Sequence, residues 1–264
     1  MHIHFLDPYR SLSSPIHRLD GRVKFILTLA FILTSALTPM GAWPVYLLLL
    51  SLMLSVEILS GLGVRYVLKR ALLALPFVLA ALPVLFTTEG STLFSLPFGL
   101  DVSQPGLERF ASIVVKSWLS VQAAIVLAAS TPFPELLVAM RAVKVPRLLV
   151  ALYGLMWRYL FVLADEALRL MRARAARSGQ SEHSQGKVGG SLIWRARVTG
   201  GMAGNLFLRA FERSDRIYMA MVARGYNGEV RTLPFPRLSL ASWVVLGSGI
   251  AVLLILLMIG LVVQ

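Results

Sequence analysis

Residues 147–178 read RLLVALYGLMWRYLFVLADEALRLMRARAARS, an apolar run that passes without a breaker into a basic amphipathic helix. Whether the apolar part, 147–164, crosses a bilayer decides the topology of the whole chain. If it did, the segment after it would face outward, yet that segment is the most basic in the protein. Ten of the chain's thirteen net positive charges fall between 131 and 240, and lysine and arginine are retained on the cytoplasmic side of a membrane. The run is therefore expected at the cytoplasmic interface. Arg158 in its middle and Asp165-Glu166 at its end fit a helix with a wet side.

Working outward, 57% of the 264 residues are hydrophobic and only 15% are charged, with a mean hydropathy of +0.74. That is far more apolar than a soluble globular chain, and it identifies a membrane protein. Apolar runs of spanning length cover 23–40, 43–60, 71–88, 110–130 and 241–263. The loop at 61–70 carries Arg65, Lys69 and Arg70, whereas 89–109 carries Glu89, Asp101 and Glu108 against one arginine. The spans thus alternate correctly if the N-terminus is cytoplasmic in the plasma membrane. Pro76 and Pro83 are expected to kink the third span. Glu57 reads as an interfacial charge that snorkels to water. The expected fold is an all-α polytopic membrane protein with about five transmembrane helices and long amphipathic cytoplasmic helices. Residues 1–130 would hold the N-terminal segment and four spans, 131–240 the basic cytoplasmic region, and 241–264 the last span.

Two helical patterns in the basic region end alike. The first, DEALRLMRARAARS (165–178), places Ala164, Leu168, Met171 and Ala175 at helical spacing, with Arg174 and Arg177 on a neighbouring flank. The second, AFERSDRIYMAMVARG (210–225), aligns Phe207, Ala210, Phe211, Ser214, Ile217, Tyr218 and Met221 in one stripe. Each closes on an arginine between small residues: Ala176-Arg177-Ser178 and Ala223-Arg224-Gly225. An arginine near a helix C-terminus ordinarily just complements the macrodipole. The repetition of the tripeptide is what singles these two out. Gly225, followed by Asn227-Gly228, is where the second helix should stop. Between the patterns, Gly200 and Gly204 have a small-xxx-small spacing that allows close helix approach, and Gly200-Gly201 could equally break or bend the helix there.

Other chemistries find little support. There are no cysteines, which excludes disulfides, thiolate metal sites and a cysteine nucleophile. His2 and His4 flank one isoleucine while His17 and His183 stand apart, so no metal set is expected. Gly179 to Lys187 resembles a phosphate loop superficially, but Ser181 stands where its first glycine belongs and Val188 where Ser or Thr is needed. Scattered hydroxyls and Glu57 make no catalytic constellation. A basic anchor for anionic lipid or nucleic acid needs only the cationic segment and stands as the rival reading.

The sequence resembles the transmembrane coupling component of energy-coupling factor (ECF) transporters, most closely its CbiQ cobalt-transport branch. The resemblance is carried by HRLDGRVKFILTLAFIL (17–33), by the stretch from TPFPELL (131–137) to ARAARS (173–178), and by AFERSDRIYMAMVARGYNG (210–228). It implies a non-catalytic permease subunit whose two Ala-Arg-(Ser or Gly) motifs, residues 176–178 and 223–225, insert into two CbiO-like ABC ATPase subunits. Asp165, Glu166, Arg174, Glu212 and Asp215 would support those coupling helices. A membrane substrate-binding subunit, CbiM-like with CbiN as an optional companion, would complete the complex in membrane lipid. No cofactor is expected on this chain, with ATP held by the partner subunits, and no nucleic acid is expected as partner. The substrate implied is cobalt, or a vitamin if the subunit is shared.

Overall fold

The computed structural model describes residues 8–72, 75–88, 91–96, 100–177, 191–228 and 238–262. The chain divides into two compact units, one from 8–144 with 235–264 and the other within 145–234.

The first unit is a helical bundle. Ser14 caps a single turn, α1 (Pro15–Arg18), and Asp20 caps α2 (Gly21–Leu37) by accepting from the Arg22 amide. A short connection leads to α3 (Trp43–Ser60), followed by α4 (Val64–Ala71), α5 (Leu75–Ala80) and α6 (Pro83–Thr87). Strands β1 (Thr92–Leu96) and β2 (Leu100–Ser103) pair antiparallel, Phe94 opposite Val102 and Leu96 opposite Leu100. Then come α7 (Gln104–Ser130), α8 (Phe133–Ala142) and, after the second unit, α11 (Leu240–Val262). The core joins Phe31 of α2, Leu49 and Met53 of α3, Leu119 and Val126 of α7, and Leu253 of α11.

The fold is an all-α polytopic membrane protein, with the small hairpin as its one departure among the described residues. By length and composition α3, α7, α11 and α9 (Arg147–Arg177, in the second unit) can each cross a bilayer. At 17 residues, α2 is about 25 Å long and reaches most of the way across a ~30 Å hydrocarbon core. One expectation requires correction. Residues 71–88 do not form one kinked span: α4 ends at Ala71, and α5 and α6 are short helices with Pro76 and Pro83 in their first turns. Proline lacks the amide that an uninterrupted α-helix needs, and the chain passes from α5 to α6 through a tight turn in which the Ala81 amide donates to the Val78 carbonyl, Leu82 to Leu79 and Leu85 to Leu82. The run 147–164, expected at the cytoplasmic interface on the charge of the segment after it, is the first half of a 31-residue helix whose length and hydropathy alone would also suit a span.

Two lysines tie α2 to α7. The Lys24 ammonium donates to the carbonyl of Ser130, the last residue of α7, at 2.9 Å. The Lys116 ammonium, on α7, donates to the carbonyls of Ala36 and Thr38 at the end of α2. Each helix thus supplies the cation that neutralises the other's C-terminal dipole and its orphan carbonyls. In apolar surroundings an unpaired carbonyl costs several kcal/mol, so the paired caps fix both the antiparallel direction and the register. Glu57 departs from the snorkelling expected of it. It is fully buried, and neither carboxylate oxygen has a hydrogen-bond partner among the described residues. The reason is its place on the face of α3 that carries Met53 and Leu49 into the core, one and two helical turns away respectively.

Candidate coupling surface on a helix pair

The second unit is built from α9 and α10 (Leu192–Ala223). Ser191 starts α10 by accepting from the Trp194 amide at 3.3 Å, a side-chain N-cap. The helix then runs unbroken for 32 residues. The break considered at Gly200–Gly204 is absent, and apart from the helix's own neighbouring backbone no atom lies within 4 Å of a methyl placed on Gly200, Gly201 or Gly204. Among the described residues nothing exploits that small-residue spacing for close approach.

Three side-chain contacts fix how the pair runs. Arg174 of α9 donates to the Thr199 hydroxyl at 3.0 Å. One face further back, Glu166 accepts from Arg213 at 3.0 Å and from Arg209 at 3.3 Å. Moving toward the start of α9 therefore moves toward the end of α10, so the helices are antiparallel. Arg177 closes α9 one turn beyond Arg174, beside the start of α10. Arg224 closes α10 at the opposite end. From Thr199 to Arg224 the helix rises about 38 Å, so the two motif arginines stand at the two ends of the pair.

The end of α10 is defined by its backbone. Gly225 donates to the Val222 carbonyl at 2.9 Å and Tyr226 to the Met221 carbonyl at 3.0 Å, the double bond of a Schellman ending. That ending needs a left-handed residue, and Gly225 has φ 81°. Arg224 is the cap residue just before it, with an exposed side chain, and Ala223 is exposed beside it. Ala176 and Arg177 are exposed at the last turn of α9. Ser178 lies outside the described residues. Arginine in such a position presents a planar fork of permanently charged donors with no neighbouring side chain to obstruct it.

The five residues expected to support these helices divide. Glu166 and Arg174 are the ones that join α9 to α10. Asp165, Glu212 and Asp215 are exposed and make no hydrogen bond or ion pair among the described residues. Sequence reasoning missed Arg209 and Arg213, because their partner Glu166 is more than forty residues away. The stripe itself also divides. Ala210, Ile217 and Met221 are half-buried, whereas Phe207, Phe211 and Tyr218 are exposed by 68, 60 and 58%. Phe207 and Phe211 stack on each other with centroids 6.5 Å apart, and Met219 and Val222 continue the exposed apolar surface. On α9, Leu148, Leu152, Met156 and Leu160 form a second exposed row at four-residue spacing. Of the histidines weighed as ligands, His17 has both ring nitrogens engaged, with the Ser14 hydroxyl and the Arg10 carbonyl.

Comparison with known proteins gives these features a context. The sequence model of the family described as cobalt transport protein, CbiQ, matches residues 12–234. An energy-coupling factor transporter transmembrane protein EcfT of Exiguobacterium sibiricum is 31% identical, with 92% of each chain covered. The EcfT of Thermosediminibacter oceani is 28% identical over 82% of each chain. The cobalt transport protein CbiQ of Rhodobacter capsulatus is 29% identical over 58% of this chain and 61% of its own length.

Proposed function

Taking as premise that this chain belongs to the CbiQ family and is an ECF transporter transmembrane component, we propose that it transmits ATP-driven motion from two cytoplasmic ATPases to a membrane substrate-binding subunit. Family membership implies a transporter complex with ATPases and substrate-binding components, and it points to no enzymatic activity of this subunit. The observation that carries the coupling reading is the placement of Arg177 and Arg224 at opposite ends of one antiparallel helix pair. A spacing of about 38 Å along the helix suits two separate subunits, one at each end, and a rigid pair makes their movements interdependent. Each guanidinium would dock in a groove of one ATPase, against carboxylates or helix-end carbonyls. The exposed aromatic and aliphatic rows would hold the substrate-binding subunit. ATP would be bound by the ATPases alone.

The substrate proposed is cobalt, from the family's description and the CbiQ relative. The EcfT relatives favour the second reading, a component shared among vitamin-binding subunits. Uptake of labelled cobalt by cells carrying the full complex, against riboflavin or biotin as alternatives, decides between them. The membrane proposed is the plasma membrane, with the N-terminus and residues 131–240 on the cytoplasmic side. A cysteine at Ser214 should then resist an impermeant thiol reagent in intact cells, and its labelling would overturn that topology.

The coupling reading is tested by Arg177→Ala and Arg224→Ala, singly and together, with ATPase co-purification and uptake as readouts. Loss of one ATPase per variant is the expected result. Retention of both with normal uptake would leave the basic-anchor reading in its place.

A further inference from the structure

The bundle carries an apolar groove of about 390 Å³, within the size range of small-molecule sites. Its walls come from α2, α3, α7 and α11, with Ile16 and Leu19 at one end. The stretches that line it are Lys24 to Phe31, Leu52 to Leu59, Ala123 to Ser130 and Val245 to Leu253. These are the N-terminal halves of α2 and α11 and the C-terminal halves of α3 and α7, so all four lie toward the same membrane face. Each rises about 10–12 Å, which is most of the depth of one leaflet in a hydrocarbon core of about 30 Å.

The polar content is concentrated at one end. Lys24 is 6% exposed and makes one hydrogen bond, to the Ser130 carbonyl. An ammonium has three N–H donors, so two have no partner among the described residues. Asp20 and Glu135 are near enough to act on it electrostatically but make no hydrogen bond to it. Arg18, between the lining residues Ile16 and Leu19, adds an exposed cation to that end. An apolar helix from a partner could fill the walls but would leave the ammonium's donors unmet. A molecule with an acceptor-rich anionic head and a hydrocarbon tail one leaflet long satisfies both.

We propose that this groove is a binding site for one anionic membrane phospholipid, with an acyl chain between α2, α3, α7 and α11 and the phosphate on Lys24. The lipid would come from the leaflet that meets the N-terminal ends of α2 and α11. It would close the bundle's open side with material that any membrane supplies.

Native mass spectrometry of the purified full-length chain, titrated with phosphatidylglycerol and separately with phosphatidylcholine, tests this. One saturable adduct is expected, with phosphatidylglycerol favoured about fivefold, the effect of one basic side chain on an anionic lipid. Lys24→Met should bring the two lipids to parity while retaining the adduct. Val252→Trp places bulk in the groove at a residue that is 44% exposed, leaves Lys24 intact, and should remove both adducts without lowering the melting temperature. The proposal is overturned if the wild type shows no saturable adduct, or if Val252→Trp binds both lipids as the wild type does. It is likewise overturned if a cysteine at Val252 crosslinks to a partner subunit in the assembled transporter while no lipid is retained there. Should Lys24→Met fail to fold, the Val252→Trp arm still decides.

Discussion

The bundle and the helix pair satisfy the same apolar composition in opposite ways. In the bundle, α3 buries Val45, Leu49 and Met53 against α7, and even the charged ends are covered by lysines from the neighbouring helix. In the pair, α10 is 32 residues long and buries none of them. Phe207, Phe211, Tyr218 and Met219 on it are more than half exposed. Isolated helices owe most of their stability in proteins to packing of one face, and an exposed apolar surface of this extent marks an interaction site. The bundle therefore carries its own packed core, whereas the pair leaves its large apolar side chains uncovered by the chain itself.

The comparison is most sharply tested at the motif arginines. If Arg177 and Arg224 dock in partner grooves, removing either leaves buried groups unpaired, a loss of about 2–5 kcal/mol per site. Arg→Lys should be nearly as harmful, since a point charge cannot reproduce the fork. The double alanine variant should abolish uptake while the bundle melts normally. Arg197 and Arg216, also exposed on α10, should tolerate alanine with changes of about 0–1 kcal/mol. Equal sensitivity of all four arginines would remove the distinction between a docked motif and a generic basic surface.

A substitution in the bundle should separate the two regions in the other direction. Lys116→Met strips the cation from the Ala36 and Thr38 carbonyls, at a cost of about 1–3 kcal/mol for polar groups left unmet. Thermal unfolding should shift down accordingly. ATPase co-purification per folded molecule should not change. A Lys116→Met protein that melts normally but loses its ATPases would mean that the bundle, too, takes part in docking.

Much of this division was legible in the residues. The apolar runs and the clustering of charge between 131 and 240 announce a membrane protein with a basic segment, and Gly225 announces where α10 stops. Residues 71–88 misled because a proline inside an apolar run reads as a kink in one helix, whereas Pro76 and Pro83 each fall in the first turn of a short helix. Glu57 misled because its burial depends on which face of α3 meets α7, and a nearly all-apolar helix shows no face. The reciprocal lysine caps and the Glu166 clamp join residues far apart in sequence, 106 residues in the case of Lys24 and Ser130, and no local pattern encodes such partners. At the candidate coupling surface, the two arginines were visible as a repeat, but their separation to opposite ends follows only from the antiparallel pairing.

A smaller effect is expected from the glycines of α10. Gly200, Gly201 and Gly204 are helical and face open space, so alanine at each should stabilise the helix by about 0.5–1 kcal/mol through reduced freedom of the unfolded chain. Helicity and melting of the purified chain would register the gain. Uptake by the complex gives the sharper reading: a loss there, with the isolated chain stabilised, would show that a partner approaches the helix at these positions more closely than a methyl allows.

The smallest effect should come from the clamp that holds the pair together. Glu166 accepts from two arginines on α10, of which Arg209 is largely exposed, and exposed ion pairs contribute little to stability. Glu166→Gln keeps the shape and one acceptor, so uptake should stay within about twofold of the wild type. Its informative consequence is geometric. Spin labels at Arg169 and Arg216, one on each helix, should report a broader distance distribution in Glu166→Gln than in the wild type, and the difference should shrink when the ATPases are bound. If the distribution is already broad in the wild type and is unchanged by the substitution, Glu166 does not fix the pair, and the rigidity that links Arg177 to Arg224 must be supplied by the partners.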